Sequence, residues 1–287
     1  MRHPEWIKVR ATGTHGTKKI LRHHGVSTVC EEARCPNQGK CFSENTATFM
    51  ILGDRCTRNC AFCAVASSKP LPVDPHEPEK VAEAALALGL EFVVITSVTR
   101  DDLADGGAGQ FAKTIHAVRK NNPSIRIEVL TPDFTGNVEA LKTVLEAGPD
   151  VFNHNIETVP RLYPAVRPVA VYMTSVNMLK TAKKTYPDIK TKSGIMLGLG
   201  ESEYEVMSVM SDLRDAGCDF LTIGQYLQPR RNNIPVVEYV RPEVFEQYRI
   251  KGLEMGFSAV ASSPLTRSSM DAHKMYYNNP QGQATFS

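Results

Sequence analysis

The chain has 287 residues, 42% of them hydrophobic and 22% charged, with a formal net charge of +2. That length suits one large α/β barrel or two ordinary domains, and the apolar fraction supports a core that needs no disulfide staples. So small a net charge makes no case for nucleic acid, and neither a basic segment leading into an apolar run nor an apolar stretch of about 18 residues points to export or a membrane. A cytoplasmic protein is expected.

Residues 1 to 24 carry Arg2, Lys8, Arg10, Lys18, Lys19 and Arg22 against Glu5 alone, followed by His23 and His24. A solvated arm accounts for them, and docking of an acidic partner is the sharper alternative. Six of the seven cysteines then lie between residues 30 and 63, as two triplets: Cys30, Cys35 and Cys41 in "VCEEARCPNQGKC", then Cys56, Cys60 and Cys63 in "GDRCTRNCAFCAV". In a reducing compartment such clusters are metal ligands or redox groups more often than disulfides.

Beyond the cysteines, short apolar runs rich in β-formers alternate with helical patterns. The strands predicted are 46–52, 91–98, 126–132, 151–156, 191–197 and 220–227. Between them, Val81, Ala84, Ala85 and Leu88 recur at helical spacing, as do Val206, Val209, Met210 and Leu213. Glycine ends several of these segments, in "LALGL", "LEAGPD" and "RDAGCD", where a left-handed residue terminates a helix before the next strand. Repeated βα units imply a parallel sheet, because right-handed crossovers return each strand in the same direction. Six units predict a partial (β/α)6 barrel of TIM type, with a doubly wound sheet as the alternative. The division expected is an N-terminal extension over 1–45, the barrel over 46–262 and a C-terminal segment over 263–287.

The second triplet directly follows the first predicted strand, on the barrel face where chemistry is done. A CxxxCxxC spacing lets one loop wrap three thiolates around three corners of a cubane iron–sulfur cluster and leaves the fourth iron open, as a catalytic metal requires. A zinc site would need a fourth ligand, and the nearest downstream histidine is His76 in a proline-rich stretch. An unliganded redox set is the other alternative. The run "DGGAG" at 105–109 lacks the spacing of a phosphate loop and reads as a tight turn into a helix. If Asn153 and Asn155 face the lumen, His154 faces the helices as a packed core residue. Cys218 reads as a small buried hydrophobe.

CxxxCxxC after the first strand of a βα barrel resembles the signature of radical S-adenosylmethionine enzymes. "EEARCPNQGKC", "FMILGDRCTRNCAFC", "TSVTRDDLADGGA", "FNHNIETVPRLYPAVRP", "KSGIMLGLGE", "LTIGQYLQP" and "RSS", spread over about residues 27 to 273, resemble the lipoyl synthase family. The resemblance implies two 4Fe-4S clusters and S-adenosylmethionine. One cluster is held by Cys56, Cys60 and Cys63, and an auxiliary one by Cys30, Cys35, Cys41 and a serine of the Arg267, Ser268, Ser269 motif, with Ser269 favoured. It implies insertion of sulfur from the auxiliary cluster at carbons 6 and 8 of an octanoyl chain on a carrier lysine. Another radical sulfurtransferase with an auxiliary cluster is the alternative. Thr96, Ser97, Asn155, Glu157 and Lys192 match polar positions of the family phrases and are assigned to cofactor or substrate contacts, against ordinary strand-end capping. The partners implied are octanoylated lipoyl carrier domains or the glycine cleavage H protein, an electron donor such as ferredoxin or flavodoxin, and an iron–sulfur carrier protein, with the enzyme a monomer. The chain departs from the family in having Met270 where tyrosine is usual and Ser263 where glycine is common. A thioether cannot reproduce the hydrogen bonding of a phenol.

Overall fold

The computed structural model describes residues 4–8 and 13–277. Arg2 and Arg10 of the basic segment lie outside the described residues. The strands in chain order are β1 (Ser27–Thr28), β2 (Thr48–Ile51), β3 (Arg55–Cys56), β4 (Ala66–Ser67), β5 (Phe92–Ser97), β6 (Arg126–Leu130), β7 (Val151–Asn153), β8 (Lys190–Leu197), β9 (Phe220–Gln225) and β10 (Ala259–Ser263). The helices are α1 (His15–His24), α2 (Val29–Glu32), α3 (Gln38–Ser43), α4 (Glu77–Ala87), α5 (Ala108–Asn121), α6 (Val138–Glu146), α7 (Tyr163–Val166), α8 (Tyr172–Thr185), α9 (Glu203–Asp215), α10 (Pro242–Glu254) and α11 (Ala272–Tyr277).

One eight-stranded sheet runs β1-β2-β5-β6-β7-β8-β9-β10. Every neighbouring pair from β2 to β10 is parallel, and only β1 is antiparallel, against β2. All six expected strands are present, and β10 adds a seventh parallel one. The sheet curls without closing, so it is a partial barrel with β1 and β10 as its edges.

Its two faces follow from the strand period of two. Val93, Ile95, Ile127, Val129, Phe152, Leu221 and Ile223 face the helices and are buried in one apolar core with the stripes of α4, α5, α6 and α9. Burying one such side chain stabilises the fold by roughly 1.5–3 kcal/mol. Thr96, Leu130, Asn153 and Lys192 stand side by side in the register of the opposite face, which lines the lumen. His154 is buried on the helix side, its ring nitrogens 2.9 Å from the Thr131 carbonyl and from Ser175 Oγ of α8, and burial pushes it down to about 4. Cys218 is wholly buried, which raises its thiol pKa. The Asp105 carboxylate accepts from the amides of Gly107 and Gly109, making the run at 105–109 a turn into α5. Gly107 has φ +91°, and a Cβ there would run into Leu52.

Candidate active site

The loop after β2 carries Cys56, Cys60 and Cys63. Its ends are drawn together where β3 pairs with β4. Its centre is fastened by Arg58, a buried residue whose guanidinium meets Asp101 (Nε to Oδ2 2.7 Å, Nη2 to Oδ1 2.9 Å) and Asp133 (Nη1 to Oδ2 2.8 Å, Nη2 to Oδ1 2.7 Å). This planar fork across two carboxylates is a geometry a lysine cannot supply. Further on, Ala61 N–H donates to the Val166 carbonyl at 2.9 Å, and Asn233 Nδ2 donates to the carbonyls of Ala61 and Cys63. The amides of Arg58 and Thr99 both point at Cys56 Sγ from 3.4 Å.

These thiols open on a cavity of about 360 Å³ at the C-terminal end of the strands. Thr96, Ser97, Asn155 and Glu157 line it, as does Arg167, which sequence reasoning did not single out. Burial raises the Cys60 thiol and pushes Cys63 up to about 12. Burial also raises the Glu157 carboxyl, against the opposing pull of Arg167. Ser97 Oγ, at the end of β5, and Thr131 Oγ1, just beyond β6, are buried with no hydrogen-bond partner among the described residues. Lys192 is not on the cavity wall. It lies near the N-terminal end of β8, where it is held by Glu128 deeper in the lumen.

The facing wall of the same cavity contains Cys30, Cys35, Arg267, Ser268 and Ser269. Behind that wall, a void of about 60 Å³ is lined by all three thiols of the first triplet, Cys30, Cys35 and Cys41, together with Ser269 and Met270. Burial pushes Cys30 up to about 12 and Cys41 to about 11. Among the described residues no three His, Cys, Asp or Glu side chains converge on a point that would hold a single ion. The thiols of each triplet are instead spread around a void.

The two ends of the chain meet here. Asn37, between Cys35 and Cys41, is buried and donates through Nδ2 to the Leu265 carbonyl at 2.6 Å and to Met270 Sδ at 3.0 Å. The Met270 thioether is therefore a hydrogen-bond acceptor for the first cysteine loop. The C-terminal segment passes so close to β9 that a Cβ at Gly224 would collide with the Thr266 carbonyl. Ser268 Oγ donates to Asn155 Oδ1 and accepts from Asn153 Nδ2, both at 2.9 Å. Ser269 has no side-chain hydrogen bond among the described residues and faces the thiols.

A parallel βα sheet with a three-thiol loop beyond its first parallel strand is the architecture of a radical S-adenosylmethionine enzyme, and the chain matches the Radical SAM superfamily over residues 50–213. Among solved structures, Streptococcus suis SuiB bound to S-adenosylmethionine aligns with a TM-score of 0.59 at 12% identity, covering 84% of this chain and 59% of that one. Methylornithine synthase (PylB) aligns with a TM-score of 0.54 at 14% identity, covering 91% and 85%. At these identities the likeness is one of fold. Among curated proteins, lipoyl synthase of Caldanaerobacter subterraneus subsp. tengcongensis is 57% identical over 274 residues, 95% of this chain and 96% of that one. Lipoyl synthase of Alkaliphilus metalliredigens is 54% identical over 274 residues, 94% of each. The chain belongs to the lipoyl synthase family.

Proposed function

We propose that the protein inserts sulfur at carbons 6 and 8 of an octanoyl chain amide-linked to a lysine, on a lipoyl carrier domain or the glycine cleavage H protein. One observation carries this reading: Cys56, Cys60 and Cys63 share a single cavity with Cys30, Cys35 and Ser269. The residues fit the groups the reaction needs. Cys56, Cys60 and Cys63 would hold one 4Fe-4S cluster, and Cys30, Cys35, Cys41 and Ser269 a second, auxiliary one. Asn155, Glu157 and Arg167 on the cavity wall fit a polar cofactor such as S-adenosylmethionine. When bound, these groups supply the electron that cleaves the sulfonium, the carbon radical that removes hydrogen from C–H bonds no side chain can ionise, and the sulfur that replaces it.

The remaining work falls to the chain. Arg58 holds the thiol loop against Asp101 and Asp133. Glu157 and Arg167 offer opposite charges to the amino and carboxylate groups of an amino-acid cofactor, with Thr96 and Asn155 beside them. Met50, Val98, Leu130, Ile195 and Leu227 give the cavity an apolar lining that suits an alkyl chain and keeps water from it. Arg267 stands on the wall shared by the two voids. An electron donor such as ferredoxin or flavodoxin, an iron–sulfur carrier protein that rebuilds the auxiliary cluster, and a cytoplasmic monomer belong to the same reading. Among the described residues no helix is long and apolar enough to cross a membrane.

The test is anaerobic incubation of the iron- and sulfide-reconstituted protein with an octanoylated lysine peptide, S-adenosylmethionine and a reductant, followed by mass spectrometry. The peptide is expected to gain two sulfur atoms. Cofactor cleavage without any sulfur gain would overturn the reaction.

A further inference from the structure

Glu128 and Lys192 form an ion pair in the lumen, with Lys192 Nζ 3.0 Å from both carboxylate oxygens and each side chain 1% exposed. Two charges so deeply buried lose more hydration than their contact restores, so such a pair is a poor source of stability. Neither residue lines the cavity. What the pair does is visible in its next neighbour. A carboxylate can only accept hydrogen bonds, so Asn153 must turn its amide nitrogen toward Glu128, and Nδ2 lies 2.7 Å from Oε1. That orientation leaves Asn153 Oδ1 buried without a partner among the described residues, so the carboxylate has overruled the amide's other preference. The second Nδ2 hydrogen goes to Ser268 Oγ. The Ser268 hydroxyl, now an acceptor there, has its own hydrogen left for Asn155 Oδ1. Each bond in the series dictates the polarity of the next.

We infer that Asn153, oriented by the Glu128–Lys192 pair, is the positioning residue that seats Ser268 between two asparagine side chains and thereby presents Ser269 to the void lined by Cys30, Cys35 and Cys41. The inference rests on the proposed reading of Ser269 as an iron ligand. Ser269 lines that void and Ser268 does not, and the bonds that anchor Ser268 to the lumen hold this division in place. Asn153 acts through Ser268 and touches none of the reacting groups.

The test uses full-length protein in which Cys56, Cys60 and Cys63 are alanine, so that only the auxiliary cluster is reconstituted. Potassium cyanide is the probe, because it binds an iron whose protein ligand has been lost, and the electron paramagnetic resonance spectrum of the reduced cluster reports it. Ser269→Ala is the reference for an open iron. Asn153→Ala and Ser268→Ala are each expected to lower the cyanide concentration for half-conversion by about tenfold relative to the parent, the scale of one or two lost hydrogen bonds. The two together should do no more than either alone, because both act along one path. Ser268→Thr, which keeps the hydroxyl, should return the parental response. If Ser269→Ala opens the cluster while Asn153→Ala and Ser268→Ala match the parent, the positioning role is overturned and the ligand assignment stands. If Ser269→Ala itself resists cyanide as the parent does, the ligand assignment fails and takes the positioning role with it. Should Asn153→Ala not fold, Ser268→Ala decides alone, since it leaves the buried pair untouched.

Discussion

Arg58 and Asp133 face each other through paired hydrogen bonds of 2.8 and 2.7 Å, and Arg58 makes this contact from between Cys56 and Cys60. The thiol loop is thus clamped to the turn that follows β6. Burial alone would push the Asp133 carboxyl up, but Arg58 outweighs it and holds the group at about 2, below its usual 3.8. A carboxyl depressed in the folded state contributes stability that is complete above about pH 5 and is lost as pH falls between about 4 and 2, here on the order of 2 kcal/mol. Arg58→Met should therefore unfold at a lower denaturant concentration than the parent at pH 7, and the gap should narrow toward pH 3. Denaturant titrations of the metal-free chain across that range check it. A gap independent of pH would show that the clamp is not ionic.

Replacing any one of Cys56, Cys60 or Cys63 with alanine should abolish reductive cleavage of S-adenosylmethionine. Replacing Cys30, Cys35 or Cys41 should leave that cleavage measurable while sulfur insertion disappears. Chromatography of 5′-deoxyadenosine alongside mass spectrometry of the peptide separates the two. Product from any variant of the first triplet would remove it as the sulfur source.

Ser269→Ala should fold, bind the cofactor and cleave it, but yield little or no lipoyl product. Loss of a helix cap or turn residue costs typically about 1 kcal/mol and leaves chemistry intact, so undiminished product would identify Ser269 as a turn residue only.

Asn37 ties the first cysteine loop to Leu265 and Met270. Asn37→Ala removes both bonds and leaves the half-buried Leu265 carbonyl unpaired, which should lower stability by about 1–2 kcal/mol. Met270→Leu keeps the bond to Leu265 and preserves volume, so about 0.5–1 kcal/mol is expected. Equal losses in thermal unfolding of the reconstituted protein would show that the sulfur carries the whole interaction.

Lys18, Lys19 and Arg22 lie on α1, with Lys19 and Arg22 exposed and Lys18 3.9 Å from Glu31. Attraction between exposed charges is screened within about 8 Å at physiological salt and acts mainly on encounter. Triple replacement by alanine should raise the apparent KM for an intact acidic carrier several-fold and leave a short octanoyl peptide nearly unaffected. Equal effects on both substrates would point to a disturbed fold.

What was legible in the chain is what is local. The CxxxCxxC loop and the six apolar strands occupy contiguous residues, and their spacing alone places them. The strand Ala259–Ser263 escaped because "AVASS" is half-buried at every position, with neither an apolar run nor an alternation to mark it. The clamp from Arg58 to Asp133 spans 75 residues and the bond from Asn37 to Met270 spans 233, and no periodicity encodes such meetings. Lys192 was expected at the cavity because it belongs to a phrase shared with the family. The length of β8, from Lys190 to Leu197, instead leaves it below the rim, where it pairs with Glu128.

The bond from Asn37 to Leu265 joins residues 228 positions apart. Protein synthesis proceeds from the N-terminus, so Cys30, Cys35 and Cys41 leave the ribosome early and wait, uncapped, while the βα units are laid down. The loop holding Cys56, Cys60 and Cys63 gains its Arg58 clamp as soon as Asp133 is translated, at the midpoint of the chain. Ser269 follows more than a hundred residues later, on a segment that cannot dock until β9 is in place beneath it. The fastenings of the two cysteine loops are therefore completed at different times, separated by the order in which one polypeptide is made.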